Sequence, residues 1–179
     1  MEDSIGTESI GKEESTGWLE KVARKIPGFS GYLDNMERRK ADQLLRDTLA
    51  ARLEAIRLDL GGISETLSAD IVLAIDHAES IGRADNRLMG LIGKINDAAS
   101  GYSSFFDAKQ VDVTKLDQIY MFDSSMVAYV DQTADHVQAL QNAVNDGAHI
   151  GAAIKELDAI LKDANSEFAS RNEIIAGIA

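Results

Sequence analysis

Cysteine is absent from the 179 residues and proline occurs once. Without cysteine there are no disulfide frameworks, thiolate zinc sites, thioredoxin-like chemistry or cysteine nucleophiles, and the chain suits a reducing cytoplasm. Average usage would give roughly nine prolines in a chain this long, whereas Pro27 stands alone, so helix breakers are scarce. No apolar run approaches the ~20 residues that span a bilayer. The acidic, polar start lacks the basic n-region and apolar h-region of a signal peptide. The expected location is cytoplasmic, with a peripheral membrane association as the alternative.

Gly-rich phosphate cradles are also missing. Neither Gly11-Lys12 nor Gly93-Lys94 is followed by Ser or Thr, and no spaced glycines follow a strand. Ser9 and Lys12 form a Ser-x-x-Lys in a stretch that reads as tail, where nothing holds a nucleophile and base in register. The spacing around Gly147 fails as an EF-hand, because Ala153 falls where the bidentate carboxylate belongs.

What is present is an excess of acid: 30 Asp and Glu against 18 Lys and Arg, a net charge of −12. It is unevenly placed, with a net of −4 over residues 1–16, +2 over 17–60 and −10 over 61–179. Phosphate recognition needs a basic face, and only Lys21 to Arg57 could offer one, so no nucleic acid is expected as a partner.

Along the chain, residues 1–15 are polar, acidic and without period, an acidic disordered tail. Residues 16–32 form a short amphipathic helix and a Pro-Gly connector: Trp18, Leu19, Val22, Ala23 and Ile26 share a helical face, and Pro27 ends it. Residues 33–179 read as a helical bundle. Asp34 and Glu37 have capping-box spacing, and Leu49, Leu53, Ile56, Leu60, Ile63 and Leu67 follow the 3,4 alternation of a bundle seam. The register resumes at Ile71, Ala74, Ala78 and Ile81, is broken by Asp85, and continues at Leu88, Ile92 and Ile95. Two interior glycines in a row cost helix stability about 2 kcal/mol, so Gly61-Gly62 is the expected hairpin turn, with Ser64 capping the helix after it. Residues 100–112 read as a connection. A helix then carries Ile119, Met126, Val130, Val137, Leu140 and Val144 to about Asn145. Asn145-Asp146-Gly147 is a turn signature, and Ile150, Ile154, Leu157, Leu161, Ala164 and Phe168 mark the last helix. The predicted fold is all-α: an elongated antiparallel helical bundle, or long helical hairpins, with a short amphipathic N-terminal helix.

Dinuclear carboxylate bundles require Glu-x-x-His pairs, and none of His77, His136 and His149 has a Glu three residues before it. No metal ligand, cofactor or catalytic residue is therefore assigned, and a carboxylate metal-binding bundle remains a second alternative. The series Asp107, Asp112, Asp117, Asp123, Asp131 and Asp135 reads as a solvated acidic face. The sharpest functional residues are Trp18, Leu19, Val22, Arg24, Lys25, Ile26, Phe29 and Tyr32, where aromatics and basic side chains suit an anionic membrane interface. The reading favoured over it is that the same apolar face caps the end of the bundle.

Residues 26–53 resemble the N-terminal signature of a group of uncharacterised bacterial helical, coiled-coil proteins. The resemblance rests on Ile26, Pro27, Gly28, Phe29, Gly31 and Tyr32, then Arg38, Arg39, Asp42, Leu45 and Arg46, with Phe29 standing where the group has Tyr. It implies no activity, and Arg38 and Arg39 join the candidate partner contacts. The function expected from the sequence is a non-enzymatic structural or interaction protein, a bundle that self-associates as a homo-oligomer or binds a protein partner. A peripheral scaffold docking on membrane through residues 16–32 is the alternative.

Overall fold

The computed structural model describes residues 22–29, 38–98 and 113–177. The tail 1–15, Trp18, Leu19, Tyr32, the Asp34 capping box and the connection 100–112 lie outside the described residues. The described chain is all-α, with four long helices: α1 (Arg38–Ser68), α2 (Ile71–Asp97), α3 (Val113–Asp146) and α4 (Ile150–Gly177).

The seam read in the sequence is the seam that buries. Leu49, Leu53, Ile56, Leu60, Ile63 and Leu67 of α1 are all in the core, as are Ile119, Met126, Val130, Val137 and Leu140 of α3 and Ile150, Ile154, Leu157, Leu161, Ala164 and Phe168 of α4. Each such aliphatic side chain contributes about 1.5–3 kcal/mol by leaving water.

The expected turn at Gly61-Gly62 is not there. α1 runs through both glycines for a further six residues, because Leu60 and Ile63 keep the 3,4 seam in the core while the glycines sit on the outer surface. Ser64 accordingly is no cap; it lies inside α1, where its carbonyl accepts from Ser68 Oγ at 2.7 Å. The chain reverses instead at Ala69-Asp70. Asp70 adopts extended backbone angles and its Oδ1 accepts from Val72 N at 2.8 Å and Leu73 N at 3.2 Å, which satisfies two orphan donors at the start of α2. The second turn falls at the predicted place. Gly147 takes φ +66° and Ala148 N reaches back to Ala143 O at 3.1 Å, a left-handed cap that glycine permits without strain.

Each hairpin is antiparallel, α1 with α2 and α3 with α4. The hairpins lie side by side with both turns at one end, here called the tip; residues 38, 97, 113 and 177 mark the foot. α1 runs alongside α3 in the same direction, since Asp42 meets the partner of Asp123 at the foot and Arg52 meets Asp131 further up. α2 and α4 are likewise parallel neighbours: His77 lies against Gly151, Arg87 bonds Asp158 at 2.6 Å and Lys94 bonds Asn165 at 2.9 Å.

The N-terminal segment packs onto this frame. Residues 22–25 are helical and the helix stops before Pro27, as the sequence predicts. Val22, Ile26 and Phe29 are buried, and Lys25 Nζ reaches Asp131 of α3 at 2.9 Å. The space beside Gly28 is closed by Leu44 of α1. Among the described residues no helix is long and apolar enough to cross a membrane.

Candidate functional site

The residues singled out in the sequence as partner or membrane contacts divide into two groups. Val22, Ile26 and Phe29 face inward, so the apolar side of residues 22–29 is occupied by the bundle itself; Arg24 and Arg39 are exposed. Lys25 is tied to Asp131, which also accepts from Arg52. Burial alone would raise the Asp131 carboxyl, but the hydrogen bonds and charges of Arg52 and Lys25 outweigh it and hold the group below its ordinary range. Trp18, Leu19, Tyr32 and the Arg38 side chain lie outside the described residues.

A feature the sequence reading missed sits in the core near the foot. Arg171 of α4 donates from Nε to Asp123 of α3 at 2.8 Å and from Nη2 to Asp42 of α1 at 3.0 Å. Arg46 donates from Nε to the other oxygen of Asp42 at 2.8 Å and from Nη2 to Gln43 at 2.8 Å. Asp42, Arg46, Asp123 and Arg171 are all buried, so two carboxylates and two guanidiniums neutralise one another across three helices. Asp123 is therefore no part of a solvated acidic face, because Arg171 of α4 draws it inward. The signal was legible: Asp42 and Arg46 stand seven residues before Leu49 and Leu53, Asp123 seven before Val130, and Arg171 seven after Ala164. Each therefore occupies a seam position. Of the residues that carried the family resemblance, Ile26, Phe29 and Leu45 are core, and Asp42 and Arg46 belong to this cluster. These five act as scaffold.

The cluster does not have the chemistry of a metal centre, since the guanidiniums already supply the cationic charge a metal would bring. The histidines do not converge with it. His77 lies against Gly151, His136 Nδ1 stands 4.0 Å from Glu156, and His149 takes φ +62° in the second turn. Among the described residues no group of three or more His, Cys, Asp or Glu could hold a metal ion.

The tip is different in kind. Ile71 and Ile75 are each 77% exposed and Val72 62%, although the sequence pattern placed Ile71 on the core seam. The reason is phase. The inward face of α2 runs through Leu73, half-buried against the core, and then Ile81, Ala84, Leu88, Leu91, Ile92 and Ile95, which leaves Ile71, Ile75 and Ala78 turned outward. Below these residues, between α1 and α2, runs an open groove of about 440 Å³ lined by Leu58, Gly61, Ser64, Ile81 and Gly82, with the Arg57–Asp85 pair at its lower end. Leu58 is itself 77% exposed. Exposed apolar residues scattered singly need no explanation; Ile71, Val72 and Ile75 instead fall within five consecutive residues of one helix.

Comparisons with family models, with curated proteins and with solved structures gave no match to this chain.

Proposed function

We propose that the chain is a non-enzymatic interaction protein, a cytoplasmic helical bundle that binds a protein partner or a second copy of itself through its first hairpin. The observation that carries this reading is the solvent-facing apolar set Ile71, Val72 and Ile75 at the hairpin tip. Burying three such side chains at a contact would contribute several kcal/mol at about 25 cal/mol per Å², whereas the isolated bundle gains nothing from them. The buried polar groups support the same reading, because they are spent on one another and leave no converging acid, base or nucleophile in the cluster. Docking on lipid through residues 16–32 is less favoured, since Val22, Ile26 and Phe29 pack inward.

The test is light scattering on the purified chain together with affinity capture from a bacterial extract, for the natural sequence and for Ile71→Glu/Ile75→Glu. The natural chain is expected to run as an oligomer or to retain a defined protein, and the variant to lose either property while keeping its helical circular dichroism. A strictly monomeric natural chain that retains nothing would overturn the proposal.

A further inference from the structure

α2 carries a second apolar seam, pointing away from the core. Ile71, Ile75, Ala78, Gly82 and Met89 recur at steps of four, three, four and seven, a helical spacing in its own right. Ile71, Ile75, Ala78 and Met89 are exposed, and a Cβ at Gly82 would meet nothing within 4 Å. From Ile71 to Met89 the seam spans about 27 Å at 1.5 Å per residue, the length of a five-turn helix. A helix laid along such a seam is read at i, i+3, i+4 and i+7.

The charge around the seam selects the occupant. Residues 58–82 contain Asp59, Glu65, Asp70, Asp76 and Glu79 without a single Lys or Arg, and residues 132–154, which form the neighbouring tip, contain Asp135 and Asp146, again with no Lys or Arg. All seven carboxylates are exposed. Asp70 caps α2, and the arginines that border this stretch are paired: Arg83 donates to Glu79 at 3.4 Å and stands 3.8 Å from Asp158, and Arg57 donates to Asp85 at 2.8 Å. A second copy placed tip to tip would bring these carboxylates face to face, which like-charge repulsion opposes. A partner with lysines or arginines flanking an apolar stripe would satisfy both features at once.

We infer that the outer seam of α2 and the adjoining α1–α2 groove receive a cationic amphipathic helix of a partner protein. This rests on the reading of the first hairpin as the contact surface and adds the chemistry of what it takes. The probe is a fluorescent 18-residue synthetic helix with leucines along one stripe and lysines elsewhere, compared with a twin carrying glutamate in place of lysine. Anisotropy titrations at physiological salt are expected to show saturable one-to-one binding of the lysine peptide and none of its twin. Ile71→Ser/Ile75→Ser leaves the charge unchanged and should weaken binding tenfold or more, whereas Met121→Ser at the foot should leave it intact. Equal binding to all three proteins would mean charge attraction alone and would overturn the inference, as would failure of the lysine peptide to bind. A dimer that dissolves in Ile71→Ser/Ile75→Ser, with no peptide binding, would make the occupant a second copy; the contact-surface reading would then survive and this one would not.

Discussion

Arg171 is the residue on which the foot of the bundle turns, because it bonds carboxylates from two other helices. Replacing it by Met keeps most of the volume and leaves Asp42 and Asp123 buried without that cation, a loss that costs about 3–5 kcal/mol when one member of a buried pair is removed. Urea unfolding of Arg171→Met should show that loss as a lower midpoint. Adding Asp123→Asn, with Asp42 kept as the partner of Arg46, should recover part of it, since a neutral amide is less costly to bury than a carboxylate. Asp131 gives a gentler and pH-dependent case. Its folded pKa lies below the ordinary carboxylate value, so its stabilisation is complete above the unfolded pKa of about 3.9 and is lost as pH falls through the folded value. The difference in unfolding midpoint between the natural chain and Asp131→Asn should therefore be constant from pH 7 to about pH 5 and shrink toward zero in stronger acid. Its size should stay within about 1 kcal/mol, because both cations that hold it are partly solvated. At this scale the sequence was half legible. Heptad arithmetic places Asp42, Arg46, Asp123 and Arg171 on the seam, but no spacing along one chain tells which carboxylate will meet which guanidinium, and acidic side chains taken in series suggest a wet face.

At the scale of elements the same arithmetic was reliable for cores and unreliable for ends. The register through Leu60, Ile63 and Leu67 is uninterrupted, and it outweighed the propensity cost of two glycines: burying those three side chains contributes more than the roughly 2 kcal/mol that Gly61 and Gly62 take away. The turn at Ala69-Asp70 has no Gly or Pro to announce it and depends on one carboxylate. Two substitutions check this assignment. Gly61→Ala/Gly62→Ala should raise stability by up to about 2 kcal/mol, because both positions are helical and a Cβ there would meet nothing within 4 Å; a true turn would lose stability instead. Asp70→Ala should cost about 1 kcal/mol through the lost cap. The turn of the second hairpin was legible because Gly147 supplies the left-handed residue the reversal needs. Ile71 and Ala78 were misassigned by phase. The inward face of α2 passes through Leu73 and Ile81, and Ile71 and Ala78 fall on its exposed side instead.

For the whole molecule the distinction lies in how two hairpins share a core. In a simple up-and-down bundle each helix neighbours its successor, so α2 would lie beside α3. Here α2 packs against α1 and α4, and α3 against α1 and α4, which makes α2 and α3 diagonal. The sequence cannot express that choice, since the apolar seams of the four helices are alike; the cross-helix pairs Arg87–Asp158 and Arg52–Asp131 distinguish one arrangement from the other. A chain free of cysteine allows a direct check with introduced pairs and a short bis-maleimide. Lys94→Cys with Asn165→Cys should cross-link in full, as the two natural side chains are 2.9 Å apart across the α2–α4 interface. Lys94→Cys with Ala148→Cys should not, because the second site lies roughly 25 Å further along α4 toward the tip at 1.5 Å per residue. Lys94→Cys with Gln132→Cys should also fail, since these exposed positions belong to diagonal helices with the core between them. An up-and-down bundle reverses the first and last outcomes. With α2 flanked by α1 and α4, its exposed seam borders the α1–α2 groove, so a fifth helix laid there would contact the first hairpin and not the α2–α3 interface that an up-and-down bundle would have.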